Sequence, residues 1–480
     1  MNQKKIFIAL ALVSSLAHAS LPDTDLSCIS HVFVPRGAST DLVWIDALNL
    51  YNRFKCPKKY YFNSATIYQQ SRKSDEMGAA FFLGNSNTLA VAEGGGAGIV
   101  NSLELGLANT TAPFNGTLSI RPERKQFTYI GNLFYDFGEC WCGLWGDFTW
   151  GVTNAHHRLN CCETEIVGNI CPGIATIADA LSQDDLSFAK FYCDQCRDGK
   201  RRTGFEDVQL RLGLDYLWCG DNHFSPYLIG TVPAGRRATG EYIFEPLVGS
   251  KHGSFGAGFI ANYTIDWCGC GDDASLMLLT DFNYRFVFKH EECRTFDFLP
   301  NGAFSRYILV VDQAAPGLPF PAANITTKRV NIQPRSTIQW WLGLNYEYCC
   351  WDFEIGYNLY WRQKEKFKDP CVSLPPTVGI YNLNGCGISS LTASNATMTD
   401  SGTADAVFVG IPFSAINIDS GLAGKVLSNK VYGAFSWTGC ACDCFEWMAG
   451  FGASYEFVSK NDRCNALQNW AVFGKWAVGF

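Results

Sequence analysis

Five times along the chain the same unit returns: a long strand of alternating apolar and polar residues, a short turn with cysteine in or beside it, and a second such strand. The copies span 127–152, 206–232, 255–288, 337–361 and 430–458. Within them Val208, Leu210, Leu212, Leu214, Tyr216 and Trp218 alternate with Asp207, Gln209, Arg211, Gly213 and Asp215. Ile338, Trp340, Leu342, Leu344, Tyr346 and Tyr348 likewise alternate with Thr337, Gln339, Trp341, Gly343, Asn345 and Glu347. Successive side chains of a strand point to opposite faces, so this period of two builds a two-faced sheet, whereas a helical period would scatter the same apolar residues around its axis. The runs are about 10–13 residues long. That suits a tilted strand crossing a bilayer, which needs about 9–11, better than a globular strand of about 5–6.

Long polar segments separate the copies: 153–205, 233–254, 289–336 and 363–429. Short turns at one end and long loops at the other are the two rims of a membrane barrel. Five hairpins give ten strands, and 59–69 and 468–480 bring the expectation to an all-β, antiparallel transmembrane barrel of about twelve. The segment 70–126 has room for a further pair, so twelve to sixteen are allowed. Fourteen per cent of residues are aromatic and 17% charged, in keeping with such a barrel and with a large soluble β-protein alike.

The start of the chain predicts export. Lys4 and Lys5 precede an apolar stretch, 6–16, and Ala17-His18-Ala19 reads as a cleavage site, so residues 1–19 are expected to be a signal peptide removed after Ala19. Net charge is −7, and losing Lys4 and Lys5 takes it to −9, which speaks against a nucleic-acid partner. Twenty-one cysteines argue for an oxidising compartment. Residues 20–58 form a leader before the barrel of 59–480. Within it Thr40 and Asp41 open a short amphipathic helix bearing Leu42, Ile45, Leu48 and Tyr51 on one side, expected to plug the lumen, to touch periplasmic partners or, more simply, to pack on the rim.

The final strand alternates Trp470, Val472, Gly474, Trp476, Val478 and the terminal Phe480 with Asn469, Ala471, Phe473, Lys475, Ala477 and Gly479. It resembles the assembly signal of bacterial outer-membrane proteins, carried here by Trp470, Trp476, Val478 and Phe480, which implies the barrel-insertion machinery and outer-membrane lipid as partners. Over 59–480 the chain resembles outer-membrane porins, and in cysteine abundance it is similar to the chlamydial major outer membrane protein. The first resemblance implies an outer-membrane pore for small hydrophilic solutes. The second implies disulfide cross-linking to itself or to other cysteine-rich envelope proteins, so a structural or adhesive barrel without an open pore is the rival expectation.

Inward-facing charges are the candidate pore lining: Asp136, Asp147, Asp207, Arg211, Asp215, Asp266, Asp281, Arg285, Glu347, Glu354, Arg362 and Glu456. Acids predominate, which predicts mild cation preference. The alternative is that the charges pair across the wall, for instance Asp281 with Arg285. Ten turn cysteines are expected to face the periplasm together as disulfide candidates: Cys140, Cys142, Cys219, Cys268, Cys270, Cys349, Cys350, Cys440, Cys442 and Cys444. Pairs within the long loops, which hold Cys161, Cys193 and Cys464 among others, would stiffen those loops. No metal, cofactor or catalytic group is expected. Cys193-x-x-Cys196 lacks histidines at ligand spacing, His156-His157 and His223 belong to opposite rims, and Gly94–Gly98 lacks the Lys-Ser/Thr of a phosphate loop.

Overall fold

The computed structural model describes residues 30–49, 59–82, 86–93, 99–105, 107, 113–138, 142–167, 176–193, 199–219, 222–265, 274–314, 319–369, 374–381, 388–389, 410–441 and 445–480. Its main element is a closed antiparallel barrel of twelve strands. These are β1 Tyr60–Ser71, β2 Glu123–Asp136, β3 Leu144–Arg158, β4 in three consecutive pieces (Lys200–Phe205, Val208–Leu214, Tyr216–Cys219), β5 Asn222–Val232 and β6 Ser254–Ile265. Then follow β7 Ala274–Val287, β8 Arg335–Tyr348, β9 Trp351–Arg362, β10 Val426–Ala441, β11 Phe445–Val458 and β12 Asn469–Gly479. Each strand pairs with its chain neighbours, and β12 closes the ring on β1 from Tyr61↔Gly479 to Ser71↔Asn469. Closure leaves no sheet edge.

The period of two becomes two faces. Leu212, Leu228, Ile355, Phe451 and Val472 are exposed on the outside, whereas Gln209, Asp281, Gln339 and Asn345 are buried inside. Aromatic rings gather at the ends of the apolar band. Tyr60 lies 4.8 Å from Tyr135 and 5.6 Å from Phe480, Trp351 stacks on Trp437 at 4.2 Å, and Tyr68 meets Trp470 at 5.6 Å. Trp470, Trp476 and Phe480 of the final strand all point outward, and Val478 shares their face. An apolar outer belt with aromatic girdles is the surface a bilayer solvates.

β4 departs from regularity. Val152 faces Phe205, but Thr149 faces Gln209, so one extra residue sits on β4 at Glu206-Asp207, a bulge that turns both carboxylates inward.

Where they are described, the long segments are not irregular loops, as their polar sequence suggested, but a folded cap over one mouth. Segment 70–126 adds no barrel strand. It supplies the helix Asp75–Phe81 and three short strands, Thr88–Ala92, Ile99–Asn101 and Asn115–Ser119, which join Cys162–Val167 in a separate sheet. Other loops contribute three further small sheets. The cap has its own apolar core, in which Phe81, Phe82, Phe191, Phe244, Phe296, Phe298 and Phe304 are at most 1% exposed. Within it a disulfide joins Cys161 to Cys193, which settles Cys193 as a bridge partner. Cys464 is also disulfide-bonded.

Candidate functional site: a barrel lumen threaded by its own leader

Side chains alone roughly fill an eight-stranded barrel, whereas sixteen or more strands leave an open channel. Twelve strands leave room for a segment of chain, and residues 30–49 occupy it. The rim placement expected for this leader is therefore corrected: it runs from the cap down the lumen, because its polar atoms find partners on the inner wall. At the cap end Ser30 Oγ donates to Ser420 O at 3.1 Å, and Arg362 donates to Val34 O at 3.0 Å. Arg36 lies 4.7 Å above the Tyr360 ring, donates to Asn358 Oδ1 at 2.7 Å and pairs with Asp41 at 3.2 Å.

The expected helix forms over Leu42–Asp46, with Asp41 as its N-cap accepting from Val43 N at 3.1 Å. Leu42, Val43, Trp44 and Leu48 pack into an inward-facing apolar cluster with Tyr61, Trp341 and Phe473. Three cations and one acid of the wall then bind the segment. Lys430 pairs with Asp41 and stacks 4.5 Å over Trp44. Lys475 donates to Ile45 O at 3.3 Å and also to Ala47 O, meeting the free carbonyls of a short helix end. Arg211 reaches Asp46 at 3.2 Å, and Glu354 accepts from Leu48 N at 2.7 Å.

Most of the predicted lining does face inward, and much of it is neutralised. Arg211 also binds Asp147 at 2.7 Å and Asp281 at 2.8 Å. Asp281 therefore pairs with Arg211 across the lumen rather than with Arg285 along its own strand. Glu456 accepts from Ser428 at 2.7 Å and lies 3.5 Å from Lys430. Asp207 lies at the cap end and clamps a loop, accepting from Gly235 N at 3.2 Å and Ser250 Oγ at 2.6 Å. Asp215 contacts His223 at 2.9 Å, and Asp136 accepts from Gly138 N at 2.7 Å, both at the short-turn end. Glu347 and Asp352 stand opposite each other on β8 and β9, each with a serine donor, Ser275 at 3.0 Å and Ser436 at 3.2 Å. Arg285 and Arg362 are buried on the inner face. Asp266 lies outside the described residues.

Lys430 and Lys475, which hold the leader, were absent from the predicted lining although the same alternation places them inside. Asp41 was legible only as a helix start, and Arg36 and Asp46 carried no signal, since nothing local shows which wall residues the three meet.

Neither a protein-family model nor a curated protein matches the chain. Solved structures with partial likeness include an outer membrane channel from Pseudomonas putida F1, at 9% identity and TM-score 0.38 over 88% of this chain and 95% of that one. A Pseudomonas aeruginosa FadL homologue is similar at 9% identity and TM-score 0.28 over 96% of this chain and 98% of that one. The translocator domain of autotransporter NalP from Neisseria meningitidis is similar at 8% identity and TM-score 0.30 over 90% and 92%. Likeness at this level carries no functional argument, so function rests on the chain's own geometry.

Of the turn cysteines, Cys142, Cys349 and Cys350 are exposed thiols without a disulfide. The turn-to-turn bridges anticipated for these three are not formed. Cys219 and Cys440 lie at strand ends of the same rim, while Cys140, Cys268, Cys270, Cys442 and Cys444 lie outside the described residues.

Proposed function

We propose that the chain is a bacterial outer-membrane channel for small hydrophilic solutes, held shut in this conformation by residues 30–49. One observation carries the reading: the wall is not filled like a core. Both side-chain polar atoms of Gln209, Asn283, Gln339 and Asn345 are buried, face the lumen and lack a protein partner. Buried amides without partners are costly unless water satisfies them, which supports a lumen that admits water around the apolar contacts of the segment. The segment also leaves without cost to the barrel ladder, because no strand pairs with it.

With short turns in the periplasm and the cap outside, the periplasmic half of the wall is acidic. Asp136, Asp147, Asp215, Glu347, Asp352, Glu354 and Glu446 line it, against Lys475, His223 and the shared Arg211. That supports mild cation preference at this mouth. Proteoliposomes carrying the barrel without residues 30–49 should swell in small sugars and amino acids, and a salt gradient should give a cation-biased reversal potential. A folded barrel that passes no solute overturns the channel, while an anion bias overturns the mouth assignment alone.

The exposed thiols favour a second reading, a structural barrel cross-linked through the periplasmic rim. Replacing Cys142, Cys349 and Cys350 with serine should abolish envelope disulfide complexes if that reading holds, and leave conductance unchanged if the channel does.

A further inference from the structure

The cap half of the lumen holds two arginines that are in contact with no carboxylate among the described residues. Arg285 on β7 faces Thr337 on β8, and Thr337 faces Arg362 on β9, so the arginines flank one threonine at the same height of the wall. Their Cα atoms are two strand spacings apart, about 10 Å, within which two long side chains converge. Both are 5% exposed. Among the described residues neither forms an ion pair, in contrast to Arg211 with its three carboxylates. Asp281, four residues along the same face from Arg285, is hydrogen-bonded to Arg211 and Tyr227, and its charge reaches Arg285 without a contact. Arg362 spends its terminal nitrogens on backbone oxygens, Val34 O at 3.0 Å and Gly424 O at 3.4 Å. Asp462 feels the Arg362 charge without pairing to it, and accepts from Leu427 N at 2.9 Å.

The next row toward the short turns sets Asn283 directly opposite Gln339, and Gln339 opposite Tyr360. Asn283 is 1% and Gln339 0% exposed, and no side-chain nitrogen or oxygen of either has a partner; the Nε atoms of Arg285 and Arg362 are likewise unpartnered. Beside the leader, Arg362 also lines a cavity of about 50 Å³ together with Arg36, Tyr360, Asp41 and Glu456, whose two carboxylates are paired with Arg36 and Lys430. A buried guanidinium without an anion is costly, and amide NH₂ groups without acceptors add to the cost. One ligand type relieves all four side chains together.

We propose that Arg285, Arg362, Asn283 and Gln339 form a binding site for an oxyanion, the phosphate or carboxylate group of a small solute. Guanidinium groups offer forked donors that match either group, and the two amides supply further N–H donors below them. The site needs a wet lumen but not a conducting one. Phosphate binding by a barrel that never conducts would leave the site standing and sink the channel.

The test is calorimetric titration of the refolded full chain in detergent with inorganic phosphate, at fixed ionic strength and with chloride as control. The expected result is saturable 1:1 binding that weakens at least tenfold in Arg285→Gln and in Arg362→Gln. Arg237→Gln, which alters an exposed cap ion pair with Glu291, should bind as the parent does. Should the arginine variants fail to fold, Asn283→Ala and Gln339→Ala take their place, each expected to weaken binding severalfold. No saturable binding, or binding unchanged in every wall variant, overturns the site.

Discussion

Arg211 is the residue whose loss should most directly release the leader. It is 5% exposed and is the shared partner of Asp46 on the leader and of Asp147 and Asp281 on the wall, at 3.2, 2.7 and 2.8 Å. Replacing it with methionine keeps much of the volume but leaves three carboxylates facing one another in a confined space. Removing one partner of a buried ion pair costs about 3–5 kcal/mol, because the remaining charge stays uncompensated. β3, β4 and β7 cannot part, since their ladders continue on both sides. The leader can, and its departure removes Asp46 from the cluster. If about 3 kcal/mol of the cost falls on the closed state, the closed-to-open ratio drops roughly a hundredfold, at 1.4 kcal/mol per tenfold. Single-channel recording should show this as a comparable rise in open probability for Arg211→Met. Asp46→Asn added to that background should restore much of the closure by removing the leader's charge, a coupling that a double-mutant cycle measures. A folded Arg211→Met barrel as silent as the parent would refute the assignment of Arg211 as the latch.

Other consequences concern the cap and the wall. Burial alone would lower the pKa of His252, but the hydrogen bond at 2.6 Å and the charge of Glu292 raise it; burial opposes ionisation of Glu292, yet Arg294 and then His252 hold it at about 2. The His252 contribution is thus complete below its unfolded pKa of about 6.5 and lost as pH rises through the raised folded value. The Glu292 contribution is present above its unfolded pKa of about 4.3 and lost as pH falls toward 2. Cap proteolysis should therefore accelerate above neutral pH, and His252→Gln should flatten that part of the profile. Serine at Cys161 and Cys193, bridged across 32 residues, should destabilise the cap by about 2–4 kcal/mol in thermal melts while barrel migration on gels stays unchanged. Alanine at Gly213 would set its Cβ 2.3 Å from the Trp145 ring, which donates to Ser225 at 2.7 Å. The overpacking should cost about 1–3 kcal/mol and blue- or red-shift the Trp145 emission as that hydrogen bond breaks.

The barrel was legible because each strand states its own pattern: Leu210, Leu212 and Leu214 need no knowledge of their neighbours to be assigned to one face. The bulge at Glu206-Asp207 was not, since an extra residue shows only in register against β3. The cap stayed hidden because its core is drawn from single aromatic residues, such as Phe82, Phe191 and Phe304, scattered through polar segments and joined only by folding. The helix of the leader was visible in Leu42 and Ile45, but its place was not. Asp41 and Asp46 meet Lys430 and Arg211, residues far along the chain, and only those pairings decide lumen over rim. The inward acids followed from alternation. Their neutralisation comes partly from the wall, where Arg211 meets Asp147 and Asp281 and Lys430 meets Glu456, and partly from Arg36, which reaches Glu456 only with the leader inside.

If residues 30–49 close a lumen that otherwise conducts, planar-bilayer recording should separate residues 20–480 from the same chain lacking 30–49. Near silence is expected from the first and discrete, long-lived steps from the second. Steady conduction by the intact chain, or silence from a folded barrel without the segment, would contradict that closure.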